Sequence, residues 1–89
     1  MPGTITTTGM TGGTISTTHN SGESVSQWVG RHTAAVSSGT PGNKLTTTWP
    51  CAGSKTAVTN RGPGESDEDF VDRHETAYTE AMLDCPPVP

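Results

Sequence analysis

The sequence predicts a two-layer α+β domain, in which a tandem ββα repeat forms one four-stranded antiparallel sheet covered on one face by two helices. Three observations lead to this prediction. The two halves of the chain share residues in the same order, threonine-rich stretches surround glycine-containing turns, and apolar residues then follow a helical spacing. Residues 1–89 are predicted to form a single domain, because a chain of this length cannot bury two cores.

The repeat is visible in two matched strings. Ile5 and the three threonines after it return 40 residues later, beginning at Leu45. A longer string, Glu-Ser, three residues, then aromatic-Val-x-Arg-His, ends at His32 and again 42 residues later at His74. Threonine fills 17 of the 89 positions, so the longer string carries more weight. The repeats are predicted at residues 4–38 and 44–85, with a linker at 39–43 and a flexible tail at 86–89.

Each repeat is predicted to begin with a hairpin. β-Branched threonine favours strands over helices, and the glycines within residues 9–13 permit the positive φ angles of a tight turn. Pro50 is expected at a strand end, because proline cannot donate to a β-ladder. The predicted strands are residues 4–8, 14–18, 44–49 and 55–60.

The alternation of side chains along each strand assigns the two faces of the sheet. The residues predicted to face the helices are Ile5, Thr7, Ile15, Thr17, Leu45, Thr47, Trp49 and Val58. The opposite face carries hydroxyls, from Thr4, Thr6, Thr8, Thr14, Ser16, Thr18, Thr46, Thr48 and Thr56, with Lys44 and Lys55 at its margin. Three interpretations stay open: a solvated face, a surface that stacks on a second copy or a partner protein, and a threonine array for ice or a polymer. The interface candidates are Thr4, Thr6, Thr8, Thr14, Thr18, Thr46 and Thr48.

Each hairpin is followed by a segment with helical periodicity. In the second repeat, apolar and aromatic residues from Phe70 to Met82 fall on one helical face, Ser66 is the predicted N-cap, and three acidic residues fill the first turn. In the first repeat, Ser24 and Gln27 form a predicted capping box. Gly39 ends the first helix, and the prolines after Cys85 end the second.

Composition limits the classes of function. Only 28% of the residues are hydrophobic and four are aromatic, so the core is expected to need a crosslink, a partner or polar packing. A formal net charge of −4 argues against nucleic-acid binding. No run of ten apolar residues occurs, so no membrane-spanning segment is predicted. The first four residues lack a signal-peptide pattern, which favours the cytoplasm by default.

The paired Arg-His sequences form a candidate site. His32 and His74 lie on the apolar stripes of the two predicted helices, and Arg31 and Arg73 precede them at the edge of each stripe. One interpretation is a pair of buried neutral imidazoles hydrogen-bonded to inward threonines. The other is a shared metal, acid-base or anion-binding site across a pseudo-twofold axis. Arg73 is also expected to pair with Asp69, four residues earlier.

Cys51 lies in the second hairpin turn and Cys85 follows the second helix. A helix that runs antiparallel to the fourth strand ends where that hairpin turns, so the two cysteines are expected to meet. The alternatives are a structural disulfide, two free thiols, and a redox or metal role. A disulfide would favour an oxidising compartment.

No motif for phosphate, dinucleotide or zinc-protease chemistry and no nucleophile elbow occurs, so no cofactor, metal or catalytic residue is predicted. The predicted function is a small non-enzymatic binding or assembly module. It would form homo-oligomers or bind a protein partner through the threonine-rich face or a sheet edge. The alternative is a small enzyme or a metal- or anion-binding protein built on the paired Arg-His residues.

Overall fold

The computed structural model describes residues 3–88. Its elements in chain order are β1 (Thr4–Met10), β2 (Ile15–Thr18), α1 (Val25–Ser37), β3 (Pro41–Pro50), β4 (Ser54–Asn60) and α2 (Asp67–Asp84). The strands form one antiparallel sheet and the helices contact its inner face, so the predicted two-layer α+β fold is confirmed. Within residues 3–88, neither helix has the length and hydropathy needed to cross a bilayer.

The strand order is β2-β1-β3-β4, which places β1 and β3 at the centre and leaves β2 and β4 as the two edges. Thr7 of β1 pairs with Thr47 of β3 in the middle of the sheet. The side chains of these two residues point towards the helices and are fully buried. The centre of the inner face is therefore polar.

Gly9 allows β1 to bulge near its end. The register between β1 and β3 shifts between Thr8 and Met10, and Gly9 has a φ of 97°. A Cβ atom at Gly9 would lie 1.9 Å from the carbonyl oxygen of Lys44, which is backbone and cannot rotate away. Only glycine fits this bulge.

Both helices begin at the predicted caps. The side chain of Ser24 accepts from the Gln27 amide at 3.1 Å, and the Gln27 side chain accepts from the Ser24 amide at 3.0 Å, which completes the capping box. Ser66 accepts from the Asp69 amide at 3.1 Å. Two indoles attach the helical layer to the rest of the chain: Trp28 donates to the Thr17 carbonyl, and Trp49 donates to the Cys85 carbonyl, both at 2.8 Å.

The interior consists of two apolar clusters separated by a polar layer. One cluster contains Ile5, Trp28, Trp49, Cys51, Tyr78 and Met82, and the other contains Met10, Val36, Leu45, Phe70 and Val71. Along each central strand and each helix, a threonine or a histidine comes between the members of the two clusters: Thr7, His32, Thr47 and His74, all fully buried. Polar packing thus replaces part of the apolar core that the composition lacks.

The exposed area matches that of an ordinary monomer. The accessible surface is 4882 Å², and the area expected for a folded monomer of this mass is about 4,900 Å². The fold therefore buries a normal share of its surface without a partner.

Three details differ from the sequence-based expectations. Val58 faces outwards and is 50% exposed, because Ala57 and Thr59 are the β4 residues that point towards the helices. β3 begins at Pro41, so residues 41–43 of the expected linker belong to the sheet. The expected flexible tail packs back on the domain: Pro87 is buried and the Val88 amide donates to the Pro50 carbonyl at 2.8 Å. Met1, Pro2 and Pro89 lie outside the described residues.

Candidate functional site

The outer face of the sheet carries short cross-strand rows of hydroxyl side chains. Neighbouring hydroxyls hydrogen-bond between Thr4 and Thr18 at 3.4 Å, Thr6 and Ser16 at 3.4 Å, and Thr48 and Thr56 at 3.1 Å. The longest row runs across all four strands and consists of Ser16, Thr6, Thr48 and Thr56. Thr8 and Thr46 pair in the next row, beside Val58, and Thr14 is exposed just before β2. Six of the seven interface candidates thus lie on one exposed or half-buried face, and the seventh, Thr14, lies outside the paired residues of the sheet.

The free edge of β4 follows from the register. Arg61 donates its amide to the Asn43 carbonyl at 2.9 Å, so the β4 residues at odd-numbered positions direct their backbone groups to β3. Alternation then directs the N–H and C=O groups of Thr56 and Val58 away from β3, towards the open side of the sheet. The Asn60 carbonyl also points outwards, and Arg73 donates to it at 2.6 Å.

Arg31 and Arg73 each join a helix to the last residue of an edge strand. Arg31 donates to the Thr18 carbonyl at 2.7 Å, as Arg73 does to Asn60. Each guanidinium also forms two hydrogen bonds to one carboxylate, Glu23 for Arg31 and Glu65 for Arg73.

These ion pairs neutralise both guanidiniums within the chain. The hydrogen bonds from Arg31 lower the pKa of Glu23 to about 2, and those from Arg73 lower the pKa of Glu65 to about 2. Arg73 pairs with Glu65 and not with Asp69 as helical spacing suggested. The carboxylates come from the turn before each helix and also accept from a backbone amide of that turn, Glu23 from Asn20 and Glu65 from Gly62.

His32 and His74 lie in the polar layer of the interior, and neither has any exposed surface. His32 contacts Thr7 at 2.7 Å through Nε2 and Thr17 at 2.9 Å through Nδ1. The second imidazole has matching contacts, with Thr47 at 2.7 Å through Nε2 and Thr59 at 2.9 Å through Nδ1. Thr7 and Thr47 are themselves 2.7 Å apart, so the structure joins the two histidines through a pair of hydroxyls.

Burial keeps both imidazoles neutral at pH 7. Loss of hydration, together with the neighbouring His74, lowers the pKa of His32 to about 4, and loss of hydration lowers the pKa of His74 to about 4. The Tyr78 ring forms T-shaped contacts with both imidazoles, with its centroid 6.0 Å from that of His32 and 5.4 Å from that of His74. In the described chain, no group of three or more His, Cys, Asp or Glu side chains is arranged to hold a metal ion.

Cys51 and Cys85 form a disulfide, with Cα atoms 5.8 Å apart. The expectation that the end of the second helix meets the second hairpin is thereby confirmed. The bond closes the end of the domain that contains Trp28 and Trp49. The other apolar cluster has no crosslink among the described residues.

Reduction of this disulfide is expected to lower the free energy of unfolding by about 3–4 kcal/mol, the loop-entropy value for a separation of 34 residues. Urea unfolding with and without a phosphine reductant measures the difference. The double variant Cys51→Ser and Cys85→Ser is the control and should match the reduced protein. Equal stability of the oxidised and reduced forms would contradict the prediction.

An apolar surface groove of about 300 Å³ lies between the amino-terminal half of α1 and the carboxyl-terminal half of α2. Its lining includes Val25, Val29, Met82, Leu83, Pro86 and Pro87. Leu83 is 77% exposed. The buried imidazoles do not line this groove.

The sequence patterns did not indicate several participants in these sites. Glu23 and Glu65 each lie eight residues before the arginine of a paired Arg-His sequence, which was the available signal for a shared role. Thr59 binds His74, although the predicted inner face held Val58 in its place. His19 is half-buried; its Nε2 contacts the Glu23 carbonyl at 2.7 Å, and the centroids of its ring and the Trp28 ring lie 4.9 Å apart.

The chain matches no protein-family model, no curated protein and no solved structure.

Proposed function

We propose that this protein is a non-enzymatic assembly module whose copies pair through the free edge of β4. The observation that carries the proposal is the outward row of backbone N–H and C=O groups at Thr56 and Val58. An edge strand of this kind is a template for a further strand. Lys55 is the one charged residue of β4, and the strand contains no proline.

A second copy fits this edge in the antiparallel direction. With the twofold axis at Ala57, Thr56 of each copy lies opposite Val58 of the other, and their free backbone groups face each other. The small Ala57 side chains meet on the helical side, and Val58, which is 50% exposed, gains apolar contact on the outer face. Two four-stranded sheets would then become one sheet of eight strands.

The expected association is weak and reversible. About six interstrand hydrogen bonds are expected, four between Thr56 and Val58 and two from the Asn60 amides to the Ser54 carbonyls, because the Asn60 carbonyls accept from Arg73. At about 1 kcal/mol each, and with burial of two valines at about 1.5 kcal/mol each, they oppose an association cost of about 4 kcal/mol or more. The balance corresponds to a dissociation constant of about 0.1–1 mM. This fits a domain that buries a normal area as a monomer. Because each copy has a net charge of −4, salt should strengthen pairing.

The substitution Val58→Pro tests the edge. It removes an N–H that points away from β3, so the internal ladder stays intact. Ser16→Pro is the matched control, because Ser16 holds the corresponding place on the other edge strand, β2. Sedimentation equilibrium up to several millimolar should show dimers for the wild type and for Ser16→Pro, and monomers for Val58→Pro.

A wild type that stays monomeric at these concentrations contradicts the proposal. So does a Val58→Pro variant that still dimerises. Circular dichroism and thermal unfolding of both variants establish that the comparison concerns folded proteins.

A second candidate surface is the outer face, favoured by the uncharged row of Ser16, Thr6, Thr48 and Thr56. Thr6 lies near its centre, away from both edges. If Thr6→Lys dissociates the dimer and Val58→Pro does not, the face and not the edge is the interface.

The paired Arg-His residues do not enter this proposal. Both imidazoles lack exposed surface, and both guanidiniums are bound to carboxylates of the same chain. A substrate would have no access to the imidazoles and would compete with a carboxylate for each guanidinium.

We also infer that the two halves are copies of one ββα unit. The support lies in matched contacts: Arg31 with Glu23 and Arg73 with Glu65, and two threonines on each histidine. Trp28 packs in a cluster with Ile5, and Phe70 packs in a cluster with Leu45. Separate expression of residues 1–39 tests a consequence, since a unit that lacks its other half should remain unfolded.

A further inference from the structure

The buried polar layer is one continuous chain of hydrogen bonds to which every element contributes one residue. In order, its members are Thr17 (β2), His32 (α1), Thr7 (β1), Thr47 (β3), His74 (α2) and Thr59 (β4). The five contacts measure 2.9, 2.7, 2.7, 2.7 and 2.9 Å. We call this set the Thr-His chain.

The interior of the Thr-His chain is closed to water. Its four inner members have no exposed surface, whereas Thr17 and Thr59, at the two ends, are each 7% exposed. Both imidazoles are neutral at pH 7 because burial lowers each pKa to about 4. Each imidazole therefore has one N–H donor and one acceptor nitrogen, and each threonine has one O–H donor.

Counting protons restricts which groups donate and which accept along the Thr-His chain. Four hydroxyls and two neutral imidazoles supply six protons for five hydrogen bonds. If Thr7 donates to Thr47, then Thr7 has no proton for His32, so His32 donates from Nε2. Thr47 then donates to His74, which accepts at Nε2 and carries its proton on Nδ1. The sixth proton falls on Thr59, at an end with some exposure.

The two arrangements in which both histidines are the same tautomer leave a hydrogen bond of the chain unmade or a buried proton without an acceptor. If both histidines carry the proton on Nε2, they donate to Thr7 and Thr47. One of these threonines then accepts two hydrogen bonds, and its own hydroxyl proton is buried with no acceptor. If both carry it on Nδ1, Thr7 and Thr47 must each donate to a histidine. Two oxygens then lie 2.7 Å apart with no proton between them.

We propose that His32 and His74 are opposite tautomers, held so by the direction of donation along the Thr-His chain. Reversing every donor exchanges the two tautomers, because the chain has the same order of residue types from either end. The buried layer is therefore a two-state element, in which a change at Thr59 determines where the proton lies on His32. The proposal is independent of the assembly proposal.

The test is NMR of protein labelled with ¹⁵N in histidine, at pH 7. The shifts of the two ring nitrogens give the fraction of each imidazole that carries its proton on Nε2. The fractions for His32 and His74 should add up to one, whether one direction of donation dominates or the two directions exchange rapidly. A total of two or of zero overturns the proposal, since these are the values for the symmetric arrangements.

Two mirror-image variants test the coupling along the chain. Thr59→Val leaves Nδ1 of His74 facing a methyl group. An orphaned buried N–H is rarer than an orphaned acceptor, so the proton on His74 should move to Nε2. The proton on His32 should then move to Nδ1. Thr17→Val should shift both fractions in the opposite directions. The coupling would be overturned if Thr59→Val left the fraction of His32 unchanged, or if Thr17→Val left that of His74 unchanged. If a variant does not fold, the sum of the two fractions in the wild type decides the proposal.

Discussion

Replacing Thr47 by valine is expected to lower the free energy of unfolding by about 3 kcal/mol. Valine keeps the shape of the side chain but removes the hydroxyl that contacts Thr7 and Nε2 of His74, each at 2.7 Å. Both groups are fully buried, so they lose a partner without gaining water. Thr7 keeps its contact with Nε2 of His32, whereas Nε2 of His74 is left without a partner. The orphaned Nε2 costs about 1–3 kcal/mol, and loss of the Thr7–Thr47 hydrogen bond costs about 1 kcal/mol more. Urea unfolding followed by circular dichroism measures the loss.

Thr48→Val is the matched control for this prediction. Thr48 is the next residue of the same strand, but its side chain lies on the outer face and its hydroxyl contacts Thr56 at 3.1 Å. Water can replace that contact, so a change within about 0.5 kcal/mol is expected. Similar losses for the two variants would show that the buried hydroxyl has no special role.

Acid is expected to destabilise the protein well above the pH at which ordinary carboxylates titrate. His32 and His74 have folded-state pKa values of about 4, below the ordinary value of 6.5, so the unfolded chain takes up their protons first. Their stabilising contribution is complete above pH 6.5 and is lost as the pH falls towards 4. The slope reaches about 1.4 kcal/mol per pH unit for each histidine, or about 2.7 for both.

Carboxylates modify this profile at lower pH. The pKa values of Glu23 and Glu65 are lowered to about 2, so their ion pairs weaken as the pH falls from 4.5 towards 2. Glu75 acts in the opposite direction, because burial raises its pKa. Urea midpoints at pH 7.5, 6.5, 5.5 and 4.5 trace the stability. Imidazole ring proton shifts of His32 and His74 that titrate near pH 6.5 in the folded protein would contradict the assignment of this acid sensitivity to the buried histidines.

The sequence carried enough information to predict the elements and the meeting of the two cysteines. Three features are visible in the local sequence: the helical stripe of α2, its capping serine and the position of the β3–β4 turn. The antiparallel course of α2 along β4 then predicts that the two cysteines meet. One of the two alternatives for His32 and His74, buried imidazoles on inward threonines, corresponds to the arrangement observed. Threonine alternation on β1 and β3 made that interpretation possible.

What could not be predicted depends on tertiary geometry. The outward position of Val58 is the exception, because strand alternation places it on the same face as Thr56 and the sequence therefore contained the signal. Arg31 and Arg73 bind carboxylates eight residues earlier, beyond the reach of any helical spacing rule, because the turn before each helix returns to the strand end. The free edge of β4 depends on the strand order, which the sequence left open.

The Thr-His chain also limits how the sequence can drift over evolutionary time. Its six positions lie on six different elements, yet a substitution at one alters the hydrogen-bonding demand on its neighbour. Neutral divergence should therefore be slow at these sites and should proceed through compensating pairs, while the outer threonines are free to change one at a time.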